Sequence, residues 1–187
     1  MKRIDKRVTF NPWRPTNGPK GRRVLTQDET YQLEKKCLTL LDKNYKCICN
    51  KKSRHFPVIQ DPSYIKLKFE YTFSLSYCGE CLDPNYTFDK NNHSYKITNL
   101  DEQLSCIISN LKKSNIKHLD MHPSGKNLCI SSSNILSVID FGVASVNNHF
   151  LTPYFLEKRK VFGYHYYVGL KKKIAKIVKE KNLLPNA

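Results

Sequence analysis

Charge is segregated along this chain, and the segregation limits where a packed core can form. Residues 1 to 25 carry eight cations (Lys2, Arg3, Lys6, Arg7, Arg14, Lys20, Arg22, Arg23) against Asp5, and residues 157 to 181 carry nine against Glu157 and Glu180. Each end is at +7, so residues 26 to 156 hold only +2 of the net +16. Unpaired charge is costly to bury, which makes the near-neutral middle the natural place for a packed, specific site. The ends favour an anionic partner, either nucleic acid or an anionic surface. At 187 residues and 40% hydrophobic, the chain suits one domain with extensions, and collagen-like, wholly disordered and disulfide-miniprotein classes are excluded. MKRIDKRVTF has no apolar run behind its cations, and no stretch approaches the roughly 18 apolar residues of a membrane span. The seven irregularly spaced cysteines fit a reducing compartment. A cytoplasmic protein is expected. The Lys-, Asn- and Ile-heavy composition is compatible with an AT-rich, viral genome, which would place the protein in the host cell.

The segment from Asn11 to Pro19 is dense in imino acids and turn formers, so residues 1 to 25 read as a basic, Pro-rich arm. Thr26 stands three residues before Glu29 in capping-box spacing, and Leu33, Cys37, Leu40 and Leu41 form the stripe of a helix ending near Lys43. Phe56 to Ile59 and Tyr64 to Ser76 read as antiparallel strands around an Asp61-Pro62-Ser63 turn. Asn99 with Glu102 repeats the capping spacing ahead of a second stripe, Leu100, Leu104, Ile107, Ile108 and Leu111. Two short apolar runs, Leu128 to Ile130 and Ile135 to Ile139, form a hairpin about Ser131 to Asn134. A last helix carries Leu170, Ile174, Ile177 and Val178 on one face and lysines on the other. That basic face would bind nucleic acid or an anionic membrane, or simply be solvated. Trp13, Tyr164, Tyr166 and Tyr167 would stack on bases or pack on the domain.

Between these elements lies an ordered set of polar residues: His118, Asp120 and Asn127 in one loop, then the hairpin, then Asp140-Phe141-Gly142. Two carboxylates and an amide so arranged suit a metal-bound polyphosphate. Here the chain resembles the protein-kinase-like superfamily from about Thr26 to Ala144, and His118-x-Asp120-x-His122-Pro123 is similar to the atypical branches, such as lipopolysaccharide kinases and aminoglycoside phosphotransferases. The resemblance implies an α+β, protein-kinase-like fold. Its parts would be a reduced N-lobe and hinge over residues 26–82 and a truncated helical C-lobe over 83–187. It implies ATP and Mg²⁺ as cofactors, transfer of the γ-phosphoryl group to a hydroxyl of a protein or small molecule, and a role for each matching residue. Asp120 would orient the attacking hydroxyl, and Asp140 and Asn127 would hold Mg²⁺. Glu34 would pair with a phosphate-binding lysine. Glu80 and Cys81, within a hinge at Tyr77 to Leu82, would meet adenine through their backbone.

The chain departs from that pattern in the parts that neutralise charge. It contains no G-x-G-x-x-G, and only Gly18-Pro19-Lys20-Gly21 resembles a phosphate-facing turn. No valine-alanine-isoleucine-lysine strand precedes Glu34, so Lys20, Arg22 or Arg23 would have to stand in for the lysine. Asn127 follows Asp120 by seven residues where five is usual, which requires Ser124-Gly125-Lys126 to bulge outward. The alternative is therefore a catalytically silent kinase-like scaffold whose basic arms bind nucleic acid or a protein. His118 reads as a structural hydrogen-bonding residue, and His122 either touches phosphate or metal or braces the loop beside Pro123. Cys47-x-Cys49 and Cys78-x-x-Cys81 could pair as a four-thiolate zinc site, although Cys78 and Cys81 read more simply as small hinge residues.

Overall fold

The structure is a computed structural model that describes residues 3–9, 17–18, 22–23, 27–49, 53–67, 70–83, 85, 88–147 and 165–185. The helices among the described residues are α1 (Gln27–Asn44), α2 (Leu100–Lys113) and α3 (His165–Glu180), each of which contributes to the core. The strands are β1 (Arg3–Thr9), β2 (Asn17–Gly18), β3 (Arg22–Arg23), β4 (Ile59–Leu67), β5 (Glu70–Ser76), β6 (Glu80–Cys81), β7 (Ile116–Lys117), β8 (Leu128–Ile130), β9 (Leu136–Val138) and β10 (Ser145–Val146). Among the described residues the pairings are antiparallel, in sheets ordered β1-β5-β4 and β6-β8-β9 with the two-stranded pairs β2-β3 and β7-β10. The α+β class is as expected.

Apolar periodicity puts the helices where the stripes lie. Tyr31, Leu33, Cys37, Leu38 and Leu41 bury one face of α1, with Leu40 packed beside them. Tyr31 meets Phe73 of β5 edge-on, with ring centroids 5.2 Å apart, so α1 lies against the three-stranded sheet. Leu104, Ile107 and Leu111 of α2 and Leu170, Ile174, Ile177 and Val178 of α3 close the same core. Asp28 and Glu29 in the first turn of α1, and Lys112 and Lys113 in the last turn of α2, complement the helix dipoles. Among the described residues no helix is long and apolar enough to cross a membrane.

Three local expectations are corrected. Residues 3–9 are not part of a free arm: β1 pairs with β5 from Arg3↔Ser76 to Thr9↔Glu70. A cation-rich strand is tolerated at the edge of a sheet, where charge also discourages pairing with another chain. The turn formers Asp61-Pro62-Ser63 do not reverse the chain but lie within β4, on the opposite edge. Asp61 pairs with Ser74 and Ile65 with Thr72, so three residues of β4 face one of β5, and Pro62, lacking an N–H, sits in the irregularity. At the start of α2, the Asn99 side chain caps no backbone N–H; its Oδ1 accepts from Gln103 Nε2 at 2.9 Å. Thr26, and the Pro19-Lys20-Gly21 link between β2 and β3, lie outside the described residues.

Buried amides tie the elements together. Gln103, fully buried, donates to Asn134 O at 2.9 Å and accepts from Leu136 N at 2.8 Å, fastening the β8-β9 hairpin to α2. The expected segment at 77–82 runs as a loop into β6, which pairs Glu80↔Ile130 and Cys81↔Cys129. Gly79 makes that approach feasible: its φ is +113°, and a Cβ there would stand 2.1 Å from Ile130 O. Gly79→Ala is therefore expected to lose stability, with about 1–3 kcal/mol from backbone strain alone. Gly169→Ala, in α3 with nothing within 4 Å of the added carbon, should gain about 0.5–1 kcal/mol. Urea midpoints of the two variants moving in the same direction would contradict this placement of both glycines.

Candidate active site

The site is assembled from the loop between β7 and β8, the end of β9 and the inner face of α1. His118 begins the loop, 2% exposed, and its Nε2–H donates to Ile139 O at 2.9 Å. Asn127 ends it, 1% exposed, and its backbone carbonyl accepts from Ile139 N–H at 3.0 Å. Both ends of the loop thus hold the residue just before Asp140. Asn127 Nδ2 also donates to the backbone carbonyl of Asp120 and lies 3.3 Å from Asp120 Oδ2, so the amide closes the loop over its own aspartate.

A turn occupies the middle of the loop between Asp120 and Asn127. Gly125 N–H donates to His122 O at 3.1 Å with Gly125 at φ +87°, and His122 Nδ1 accepts from Ser124 N–H at 3.1 Å and pairs with Ser124 Oγ at 2.9 Å. His122 is thus engaged within the turn, as the architectural reading expects. Lys126, next to the turn, forms an ion pair with Asp120 at 3.0 Å. That bond raises the Lys126 ammonium above the ordinary lysine range, and the charges of Asp120, Asp140 and Asp83 add to it. In the sequence only its adjacency to Asn127 marks Lys126. Both Asp120 and Asp140 also act on the imidazole of His118, so the two carboxylates belong to one electrostatic neighbourhood.

Asp140 has φ +64°, a left-handed conformation that a short polar side chain tolerates better than most. Phe141 follows, fully buried, with its ring 5.1 Å from His118 and 6.1 Å from Phe56 in edge-on contacts. Its N–H donates to Glu34 Oε1 at 3.3 Å, and Glu34 is itself fully buried on α1. Gly142 permits the close approach, since a Cβ there would lie 2.7 Å from Thr30 Cγ2. Glu34, Asn127, Asp120 and Asp140 are thereby brought into one connected region.

Glu80 and Cys81 stand on β6. Glu80 Oε2 accepts from Tyr95 OH at 2.9 Å, and the Cys81 thiol donates to Lys126 O at 3.1 Å, linking β6 to the loop. Leu82 N–H donates to Leu128 O, so by antiparallel alternation the N–H and C=O of Cys81 point away from β8, to the outer side of the sheet as described. Lys20 lies outside the described residues, as do Trp13 and Tyr164. Tyr166 and Tyr167 pack rather than present free faces: Tyr166 OH donates to His118 O at 2.7 Å and Tyr167 OH to Ile116 O at 3.2 Å, so α3 supports the loop from behind. Burial pushes both phenols up, Tyr167 to about 12. Cys78 and Cys81 do not join Cys47 and Cys49; the latter two instead meet Cys106, so the four-thiolate pairing is not formed.

A separate open cleft of about 580 Å³ lies between the 90s loop and the end of α3, lined by Lys90, His93, Lys96 and Lys179 among others. It contains none of the carboxylates described above.

Burial lowers the pKa of His118 despite opposing contributions from Ile139 O and both aspartates, and burial also lowers that of His55. The unfolded chain therefore binds more protons than the folded one once pH falls below about 6.5, so stability is full above that value and drains away as pH drops toward the lower folded pKa. Urea unfolding at about pH 7.5 and about pH 5.5 should show a lower midpoint in acid, with a smaller difference in His118→Gln. An unchanged pH dependence in that variant would remove His118 as a source. No protein-family model matches the chain and a search of curated proteins found no match, so the functional reading rests on the chemistry of these residues.

Proposed function

We propose that the chain is an ATP- and Mg²⁺-dependent phosphotransferase of protein-kinase-like fold that transfers the γ-phosphoryl group to a hydroxyl of a protein or small molecule. The carrying observation is the double attachment of Ile139 to His118 and Asn127, which sets the loop bearing Asp120 beside Asp140. The donor set fits the metal: one carboxylate from Asp140 and the amide oxygen of Asn127, whose nitrogen is spent on Asp120, are hard oxygens suited to an ion that keeps several waters. Mg²⁺ held there would neutralise charge on the nucleotide phosphates. Asp120 would orient the acceptor hydroxyl and take its proton, while Lys126 supplies a positive charge beside it. Glu34 is a positioning residue in this reading, because its carboxylate holds the N–H of the residue following Asp140. The outer side of the sheet at Cys81 supplies the backbone donor and acceptor for a purine, with residues 26–82 and 83–187 as the two lobes around it.

The basic cleft at Lys90, Lys96 and Lys179 and the net charge of +16 favour a second reading, in which a silent kinase-like scaffold binds nucleic acid or an acidic protein. Nucleotide-dependent stabilisation separates the two. At about 100 times its Kd, ATP should add roughly 2.7 kcal/mol in the presence of Mg²⁺. Asp140→Asn should abolish the part of that shift that depends on Mg²⁺. Asp120→Asn should keep the shift while lowering transfer of label from γ-labelled ATP about 10²–10⁴-fold. An ATP response that is absent in the unaltered chain, together with salt-sensitive retention of nucleic acid, would replace the enzyme with the scaffold.

A further inference from the structure

A second cluster of chemistry-bearing side chains is built from the loop after α1, the middle of α2 and the segment leading into β4. Cys47 Sγ and Cys49 Sγ are 3.3 Å apart, and with Cys106 Sγ all three sulfurs lie within 4.8 Å of one another. His55, fully buried, places Nε2 3.3 Å from Cys49 Sγ. Cys106 is also fully buried and Cys49 nearly so.

Contacts outside the sulfurs hold this arrangement. Lys46 N–H donates to Asn110 Oδ1 at 2.8 Å and Asn110 Nδ2 donates to Lys46 O at 3.0 Å, so the chain just before Cys47 is clamped to α2 one turn beyond Cys106. His55 Nδ1–H donates to Leu136 O at 2.7 Å, which selects the tautomer whose Nε2 lone pair faces Cys49 Sγ. Ile48 N–H reaches Cys106 Sγ at 3.5 Å, a bond that favours a thiolate. Three thiols could be ordinary apolar filling. That account leaves unexplained why a buried imidazole turns its basic nitrogen onto Cys49. A Cys47–Cys49 disulfide likewise leaves Cys106 and His55 without a purpose, and a separation of 3.3 Å is far from a bond of about 2.0 Å.

Zinc bound tetrahedrally at about 2.3 Å to sulfur and about 2.0 Å to nitrogen separates neighbouring sulfurs by about 3.8 Å, close to the spacing here. Thiolate and imidazole donors select zinc over Mg²⁺, which prefers the oxygen set at Asp140. We propose that Cys47, Cys49, Cys106 and His55 form a structural zinc site. The ion would tie the loop after α1 to α2, and through His55 to β9. His55 O also accepts from Val138 N–H at 2.9 Å, and its neighbour Phe56 meets Phe141 edge-on, so the zinc would brace the site of the aspartates from behind.

The test uses the full chain purified under reducing conditions without chelators. Elemental analysis should find about one zinc per chain, and cobalt(II) exchanged into it should show thiolate-to-cobalt charge transfer with the intense bands of a tetrahedral site. Cys47→Ser, Cys49→Ser and Cys106→Ser should each lose the metal, His55→Gln should weaken it roughly tenfold or more, and Cys78→Ser should retain it. The cobalt spectrum of the unaltered chain decides the matter should a cysteine variant fail to fold. Absence of stoichiometric zinc with no tetrahedral cobalt spectrum, or a Cys47–Cys49 disulfide in the mass spectrum of the metal-free chain, overturns the proposal.

Discussion

The backbone of one residue organises the middle of this molecule. Ile139 gives its N–H to the carbonyl of Asn127 and receives at its own carbonyl the imidazole N–H of His118. The two partners are nine residues apart and flank Asp120, whereas Ile139 precedes Asp140. The separation of the two acidic residues is thus decided by backbone and by buried, hydrogen-bonded side chains, and not by the carboxylates, which would repel one another. A buried hydrogen bond contributes modestly when made and costs more when one partner is removed, so such a junction is stiff. Glu34 extends it to α1 through Phe141, and Gln103 extends it to α2 through Leu136.

Apolar burial and polar ties divide the work. Leu104, Ile107 and Leu111, with the inner residues of α1 and α3, supply the area that drives collapse, but oily contact alone would accept several registers. The buried amides of Gln103, Asn110 and Asn127 select one of them, because in any other register those groups would sit in the core without partners. Each of the three satisfies backbone atoms distant in sequence: Gln103 at residues 134 and 136, Asn110 at 46, and Asn127 at 120. Gly79 and Gly142 act in the same sense by allowing two chain segments to approach where any side chain would intrude.

The helices, the β8-β9 hairpin and the order of the polar residues were legible because they depend on local spacing: stripes at three and four residues, an apolar run broken by Ser and Asn, and short sequence distances between Asp120, Asn127 and Asp140. What escaped depends on long-range pairing. β1 sets Ile4 and Val8 at an even interval among Arg3, Lys6 and Arg7, a pattern that does not announce a strand by itself, and only pairing with β5 makes one of it. Pro62 signals a turn in any local reading, and it lies in a strand here because the edge of a sheet can absorb the irregularity. The cap spacing of Asn99 was present, yet Gln103 one turn later captured its side chain. Cys106 lies on α2, beside the stripe that marks the helix. No spacing rule links it to Cys47 and Cys49 across more than fifty residues, and nothing near His55 announces that its ring faces sulfur.

The tyrosine supports beneath the loop bear on how the chain is made. Tyr166 and Tyr167 reach His118 and Ile116 across 48 and 51 residues, from the start of a helix that is synthesised well after the segment it steadies. On a ribosome adding about 5–20 residues per second, the His118 to Asn127 stretch is exposed for seconds before its buttress exists. The first hundred or so residues can gather around α1 and its sheet in that interval. The acidic pair, however, should settle into place only after α3 has emerged and docked.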